Sequence, residues 1–169
     1  MAGIEIERKY IIKLPLIDLI KKESGFTESC ITQIYLNSDA GVTHRVRKRV
    51  YEGKTTYTET KKTRIDKMSV IEDEREITEA EYLSLSSDIK QGTRPIFKTR
   101  YTFLSGEKVV EIDVYPDWKR TCILETELSS REEIVTFPEF INIIKEVTGQ
   151  FEYSNASMAK CFPKEIEVL

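Results

Sequence analysis

The chain has 169 residues, 40% of them hydrophobic and 33% charged, which is typical of a globular protein forming one domain over residues 1–169. Its net charge of −3 gives no general attraction to nucleic acid or to an anionic membrane, so neither is an expected partner. The chain has no apolar run near the ~20 residues of a membrane span, and no signal-peptide pattern. Three distant cysteines and a single histidine argue against disulfides and against a Cys- or His-based metal site. We therefore expect a cytoplasmic protein.

Most of the predicted elements are short strands. Alternating polar and apolar residues, punctuated by turn residues such as those at 37–41 and 52–54, define the strands. Eight are predicted, at residues 4–10, 27–36, 42–51, 55–63, 69–77, 96–104, 108–115 and 121–128.

Helices are predicted in four places. A short one follows Pro15, and a second begins at Thr78, where Glu81 completes a capping box, and runs to about Asp88. Apolar residues at helical spacing predict a helix over 137–148, and Ser154 or Asn155 is expected to cap a final helix reaching Lys160.

The strands carry their charges in rows. Because alternate side chains of a strand share a face, each charged row lies opposite a more apolar one. The basic rows are Arg45, Arg47 and Arg49, and Lys98 with Arg100, and a row of mixed charge contains Tyr57, Glu59 and Lys61. The acidic rows are Glu5 and Glu7 with Lys9; Glu72, Glu74 and Glu76; Glu111 and Asp113; and Glu125 and Glu127.

Two architectures fit this alternation. A sandwich would place the charged faces in water and pack the apolar faces together. About eight antiparallel strands are also enough to close a barrel, with helices on its apolar outside and charges on its inside. The alternation alone leaves both open.

A charged barrel interior would need ions to neutralise it, because each unpaired buried ion costs several kcal/mol of desolvation. Carboxylate clusters suit Mg²⁺ or Mn²⁺, and rows of Lys and Arg suit phosphate oxygens. The ligand that satisfies both is a small, highly anionic phosphate compound carried with a divalent metal.

The first strand contains E-I-E-R-K at 5–9, which resembles the ExExK signature of the CYTH superfamily, the triphosphate tunnel metalloenzymes. The resemblance extends over nearly the whole chain, in order. Its further motifs are R-V-R at 45–47, T-K at 60–61, E-R-E-I at 74–77, K-T-R-Y at 98–101, E-I-D-V-Y at 111–115, E-T-E at 125–127 and Y-S-N-A-S-M-A from Tyr153.

The resemblance implies an α+β fold: a closed eight-stranded antiparallel barrel with flanking helices and a C-terminal plug helix. It implies Mg²⁺ or Mn²⁺ as cofactor and assigns roles by position. The implied metal ligands are Glu5, Glu7, Glu76, Asp113, Glu125 and Glu127. The implied phosphate ligands are Lys9, Arg45, Arg47, Lys61, Lys98 and Arg100. The residues closest to catalysis would be Lys9, Glu5, Glu7 and Glu127, whereas Glu74 and Glu111 would support basic side chains.

Some residues depart from the pattern. Relatives often carry a basic residue near the closing motif, where this chain has Glu152, Tyr153 and Ser154. Lys48, Arg49 and Lys62 match no family position and are expected at the surface.

The expected activity is metal-dependent hydrolysis of the terminal phosphoanhydride of a triphosphate, inorganic tripolyphosphate first. The alternatives are a thiamine or nucleoside triphosphatase, a class IV adenylyl cyclase, and a non-catalytic polyphosphate-binding module. Only four residues precede the first motif, where cyclases of this type usually carry His-Phe, which argues against cyclisation. A homodimer is expected by analogy alone.

Overall fold

The computed structural model describes residues 2–168, in which nine antiparallel strands form one sheet and eight of them close into a barrel. The order around the barrel is β1-β5-β4-β3-β2-β6-β7-β8 and back to β1. The strands are β1 (Ala2–Lys13), β2 (Thr27–Leu36), β3 (Val42–Tyr51), β4 (Lys54–Arg64), β5 (Ser69–Ile77), β6 (Ile96–Ser105), β7 (Lys108–Val114), β8 (Thr121–Glu127) and β9 (Ile143–Glu146).

The helices are few and short: α1 (Ile17–Ile20), α2 (Glu79–Ser86), a 3-10 helix (Phe151–Tyr153) and α3 (Asn155–Lys160). The predicted capping box is present, because the Thr78 hydroxyl accepts from the Glu81 N–H and the Glu81 carboxylate accepts from the Thr78 N–H. Ser154 caps α3. Among residues 2–168 no helix has the length and apolarity needed to cross a membrane.

The barrel closes through β1, which pairs with β5 over Ala2–Ile6 and with β8 over Glu7–Lys13. Because β5 pairs only with the first half of β1, the backbone groups on that edge of the second half would be unpaired. β9 pairs with this edge at residues 10–12 of β1. The helix predicted over 137–148 is therefore wrong. Phe137 and Phe140 do pack against the barrel, but from irregular chain.

The two faces of the barrel wall differ in polarity. On the outside, Phe103, Val110, Ile112 and Leu124 are fully buried beneath α1 and the segment around Phe140. A second outer cluster lies beneath α2, around Leu36, Val46, Ile77 and Tyr82. The charged rows face the interior, so the barrel replaces the sandwich alternative.

The inward rows become apolar at one end of the barrel. One position beyond the last charge, β1 continues with Ile11, β6 with Ile96, β7 with Tyr115 and β8 with Ile123. These side chains pack against Met158 and Ala159 of α3, which forms the predicted plug helix. We call this end the plug end, and the opposite end, where β3 leads into β4, the far end.

Gly149 fixes the segment that leads to the plug helix. Its φ is +71°, and a Cβ there would lie 2.9 Å from the Lys67 carbonyl oxygen. Gly53, in the hairpin between β3 and β4, has a similar φ of +75° but has no atom within 4 Å of a built Cβ. We expect Gly149→Ala to lower the free energy of unfolding by about 3 kcal/mol, combining backbone strain with the clash, and Gly53→Ala by about 1 kcal/mol. Urea denaturation of both variants measures the difference, and equal losses would contradict the close approach.

Candidate active site

The barrel contains a cavity of about 470 Å³ whose wall is mostly charged. Seven carboxylates and seven cations line it, so the wall as a whole is close to neutral. The acidic members are Glu5, Glu7, Glu72, Glu74, Glu111, Glu125 and Glu127, and the basic members are Lys9, Arg45, Arg47, Lys62, Arg64, Lys98 and Arg100.

One ion network is buried in the interior towards the plug end, around the Asp113 carboxylate. Asp113 is completely buried and accepts hydrogen bonds from Lys98 Nζ at 2.5 Å and from Arg100 Nε at 2.6 Å. Burial by itself raises the pKa of Asp113, but the two cations hold it below its usual range. Arg100 continues the network to Glu111 and, at 3.2 Å, to Glu125.

Lys9 joins this network from β1. Its Nζ lies 2.7 Å from Glu125 and 4.0 Å from Glu7. Burial alone lowers the pKa of Lys9, yet the Glu125 and Glu7 carboxylates raise it overall. The same contact holds the pKa of Glu125 well below its usual range, despite complete burial. Lys9 and Glu125 are therefore both charged at neutral pH.

A second network spans β1, β4 and β5. Lys62 Nζ lies 3.1 Å from Glu5 and also pairs with Glu72. Burial and the neighbouring Glu72 raise the pKa of Glu5, against the influence of Lys62, whereas the pKa of Glu72 is lowered because Lys62 and Arg45 outweigh its burial. Lys62 therefore favours the ionised form of Glu72 more than that of Glu5.

Arg45, Arg47 and Arg64 are the cavity cations without a carboxylate partner in residues 2–168, and Arg64 instead donates to the backbone oxygens of Asp66 and Lys67. Arg45 is 8% exposed and its Nε has no hydrogen-bond partner. Arg47 Nε donates to the Gln33 side-chain oxygen at 3.2 Å. Burial, with Arg45 and Arg100 nearby, lowers the pKa of Arg47 to about 10. Two adjacent guanidinium groups held in this way are suited to an anionic ligand.

Glu7 and Glu127 form the complementary acidic position. They lie directly opposite each other on β1 and β8, with side chains on the cavity face. Like charges so placed repel each other. Among the salt bridges of residues 2–168, the cation closest to this pair is Lys9, whose Nζ lies 4.0 Å from the Glu7 carboxylate. Glu111 and Glu125 are also paired across strands, but Arg100 bridges them.

The donor set fits a divalent metal that shares its coordination with a ligand. Among the described residues, no three Asp, Glu, His or Cys side chains converge into a ready-made metal site. Mg²⁺ is usually held by one or two carboxylates together with waters and substrate phosphates, which is what the pair of Glu7 and Glu127 offers.

Nine of the twelve predicted site residues line the cavity: Glu5, Glu7, Lys9, Arg45, Arg47, Lys98, Arg100, Glu125 and Glu127. Asp113 faces the interior but does not line the cavity, and both its oxygens are occupied by Lys98 and Arg100. Lys61 and Glu76 are exposed and lie outside the cavity. Lys61 is on the outer face of β4, and Glu76 is at the far end of β5.

Lys62 was not among the predicted site residues. It was expected at the surface, but it lines the cavity together with Glu72. In β4 the inward face carries Thr56, Thr58, Thr60 and Lys62, and Thr60 is completely buried. Because the opposite row of Tyr57, Glu59 and Lys61 is equally polar, alternation alone does not show which row faces inward. The alternating threonines were the sequence signal for the inward row.

The plug helix region presents neutral groups to the cavity. Phe151, Ser154, Asn155, Ala156 and Ser157 border it, and none carries charge. The residues that depart from the family pattern therefore bring no cation here. Instead, Lys9 Nζ approaches the Tyr153 carbonyl oxygen at 3.5 Å.

We expect Asp113→Asn to lower the free energy of unfolding by about 3 kcal/mol, because two buried cations lose their counter-ion. The control is Asp117→Asn, which breaks the half-exposed ion pair with Arg94 and should cost under about 1 kcal/mol. Urea denaturation compares them, and a small loss for Asp113→Asn would show that the buried network is not needed for stability.

Anion binding should depend on pH through Lys98. Burial and the adjacent Arg100 lower its pKa to about 8, in spite of Asp113, so the charge is present below that pH and lost above it. We expect metal-free tripolyphosphate affinity to fall several-fold more between pH 7 and 9 in the parent protein than in Lys98→Arg, which stays charged. Titration calorimetry at both pH values measures this, with Lys61→Arg as control. Parallel profiles would exclude Lys98 as the titrating cation.

No protein-family model matches the chain, and neither does any curated protein. Solved structures do. The inorganic triphosphatase NE1496 matches with a TM-score of 0.60 at 24% identity, over 94% of this chain and 96% of that chain. PH1819 from Pyrococcus horikoshii OT3 matches with a TM-score of 0.60 at 19% identity, over 75% of this chain and 80% of that chain. HpAC1 from Hippeastrum is a candidate adenylyl cyclase with a dominant triphosphatase activity. It matches with a TM-score of 0.50 at 14% identity, over 75% of this chain and 81% of that chain. The chain therefore has the fold of the CYTH-type triphosphate tunnel proteins, as the order of its motifs predicted.

Proposed function

We propose that the protein is a divalent-metal-dependent triphosphatase that hydrolyses the terminal phosphoanhydride bond of a linear triphosphate. The observation that carries this proposal is the adjacent pair of guanidinium groups of Arg45 and Arg47, neither of which has a carboxylate partner in residues 2–168 and which face the acidic wall of the same cavity. The likeness to an inorganic triphosphatase supports it at the level of fold.

Charge balance favours a polyanion that arrives with metal. Because the cavity wall is near neutral, a triphosphate alone would face seven carboxylates as well as seven cations. Divalent cations on the acidic side would remove that repulsion, and Arg45 and Arg47 would then bind phosphate oxygens on the other side.

Glu7 and Glu127 are the proposed metal-binding carboxylates, with Glu5 and Glu125 two residues along the same rows. A divalent metal held there would supply charge neutralisation on the phosphoryl oxygens and promote attack by water.

The protein's own side chains have separable roles. Arg45, Arg47 and Lys98 would hold the phosphate chain in line, and Lys9 would orient a phosphoryl oxygen near the metal. Asp113 would act as a positioning residue, because it fixes Lys98 and Arg100 while remaining outside the cavity. Arg100 is bound by three carboxylates, so its main role would be to hold the acidic wall together.

Inorganic tripolyphosphate is the proposed first substrate. The cavity wall contains two aromatic residues: Tyr35 is 4% exposed, and Phe151 has the Arg64 guanidinium over its ring, 5.0 Å from the ring centroid. A nucleoside or thiamine moiety would find little apolar surface to bind.

Phosphate release from tripolyphosphate, ATP and thiamine triphosphate, with Mg²⁺ and then Mn²⁺, tests the proposal. We expect release from tripolyphosphate to be fastest and to stop when EDTA is added. Arg47→Gln and Glu127→Gln should each reduce kcat/KM by about 100-fold, as expected when a group that stabilises transition-state charge is removed. Lys61→Gln, on the outer face of β4, is the matched control and should retain activity.

The products separate the alternatives. Cyclic AMP and pyrophosphate from ATP would establish a cyclase, and tight tripolyphosphate binding without any phosphate release would establish a binding module. Either result would contradict the proposed hydrolysis.

A further inference from the structure

The row of inward arginines on β3 does not end at the cavity. Arg45 and Arg47 line it, and Arg49 is the next residue on the same face, one step closer to the far end. From Arg45 to Arg49 the strand advances by about 13 Å, a longer span than three linked phosphoryl groups need. Arg49 was expected at the surface, but its Nε is buried and has no hydrogen-bond partner.

Hydroxyl groups without partners flank Arg49 on both neighbouring strands. Ser29 of β2 is 1% exposed, and its Oγ forms no hydrogen bond. It lies opposite Tyr51 and is therefore diagonal to Arg49. Thr58 of β4 lies opposite Arg47, diagonal to Arg49 on the other side, and its Oγ1 also has no partner. Side chains in such diagonal positions are within reach of a long residue such as Arg.

Buried polar groups without partners are unusual, because each costs about 1–3 kcal/mol when unsatisfied. One guanidinium and two hydroxyls can all donate, so together they suit an anion. Glu76 lies opposite Thr58, and no salt bridge in residues 2–168 joins a carboxylate to Arg49. The local chemistry therefore matches that of the Arg45 and Arg47 positions.

We propose that Arg49, Ser29 and Thr58 form an additional phosphate subsite, so that the barrel binds linear polyphosphates of four or more phosphoryl groups more tightly than tripolyphosphate. This inference rests on the proposed function, in that Arg45 and Arg47 bind the first part of the same chain. The fourth phosphoryl group would then continue along β3 towards the far end.

The test compares tripolyphosphate with tetrapolyphosphate by titration calorimetry in EDTA, where the metal-dependent reaction does not run. We expect the parent protein to bind tetrapolyphosphate about tenfold more tightly, the effect of one charge-assisted hydrogen-bonding group. Arg49→Gln should bring the affinity ratio close to one. Lys48→Gln, which removes the same charge from the outer face of β3, should leave the ratio unchanged.

Thr58→Val provides a second variant that keeps both shape and charge, and it should reduce the ratio by a few-fold. Equal affinities in the parent protein, no binding of tetrapolyphosphate, an unchanged ratio in Arg49→Gln, or the same loss in Lys48→Gln would each overturn the subsite. Absence of phosphate release in the presence of metal would bear on the proposed function alone, because the binding comparison requires no turnover.

Discussion

The buried contact between Asp113 and the two cations Lys98 and Arg100 is the constraint on which the interior depends. A barrel lined with ions is stable only if nearly every charge has a partner, since desolvation of each ion costs several kcal/mol. Asp113 supplies that partner in the interior, at 2.5 and 2.6 Å. Arg100 then bridges Glu111 and Glu125, and Glu125 in turn holds Lys9. One carboxylate thus organises the ions of four neighbouring strands.

Against this paired background, the unpaired groups stand out. Arg45 and Arg47 on one wall have no carboxylate, and the repulsion between Glu7 and Glu127 on the other is not relieved by a bridging cation among residues 2–168. A ligand with anionic oxygens and bound divalent cations would neutralise both sets of charges: its oxygens would pair with the arginines and its cations with the two carboxylates. The fold itself is consistent with many chemistries, and this asymmetry in pairing is what favours phosphoryl transfer among them.

Much of this arrangement could be predicted from the sequence, because strict alternation fixes which residues share a face. The rows beginning at Glu5, Arg45, Lys98 and Glu125 were assigned to the interior together, and they do line one cavity. Alternation fails where both faces are polar. In β4, the row with Lys61 and the row with Lys62 are equally plausible until α2 covers Tyr57, whose ring lies 4.9 Å from that of Tyr82. The pairing of Lys62 with Glu5 joins strands far apart in sequence and has no local signal, whereas Glu72 is the direct partner of Lys62 on the next strand.

The wrong helix over residues 137–148 has a similar cause. Its apolar residues do recur at helical spacing. However, β5 leaves backbone groups of β1 without hydrogen-bond partners, and only an extended segment can pair with them. The plug end could be predicted in part from the sequence. On four strands the charged row turns apolar one position later, at Ile11, Ile96, Tyr115 and Ile123, which marks the end of the charged interior.

The most direct measurement is a crystal structure of the protein with tripolyphosphate and Mn²⁺, using the anomalous signal of manganese. We expect a manganese peak between the carboxylates of Glu7 and Glu127, with phosphate oxygens bound to the guanidinium groups of Arg45 and Arg47. Tripolyphosphate bound on the outside of the barrel, or a manganese peak away from both carboxylates, would contradict it.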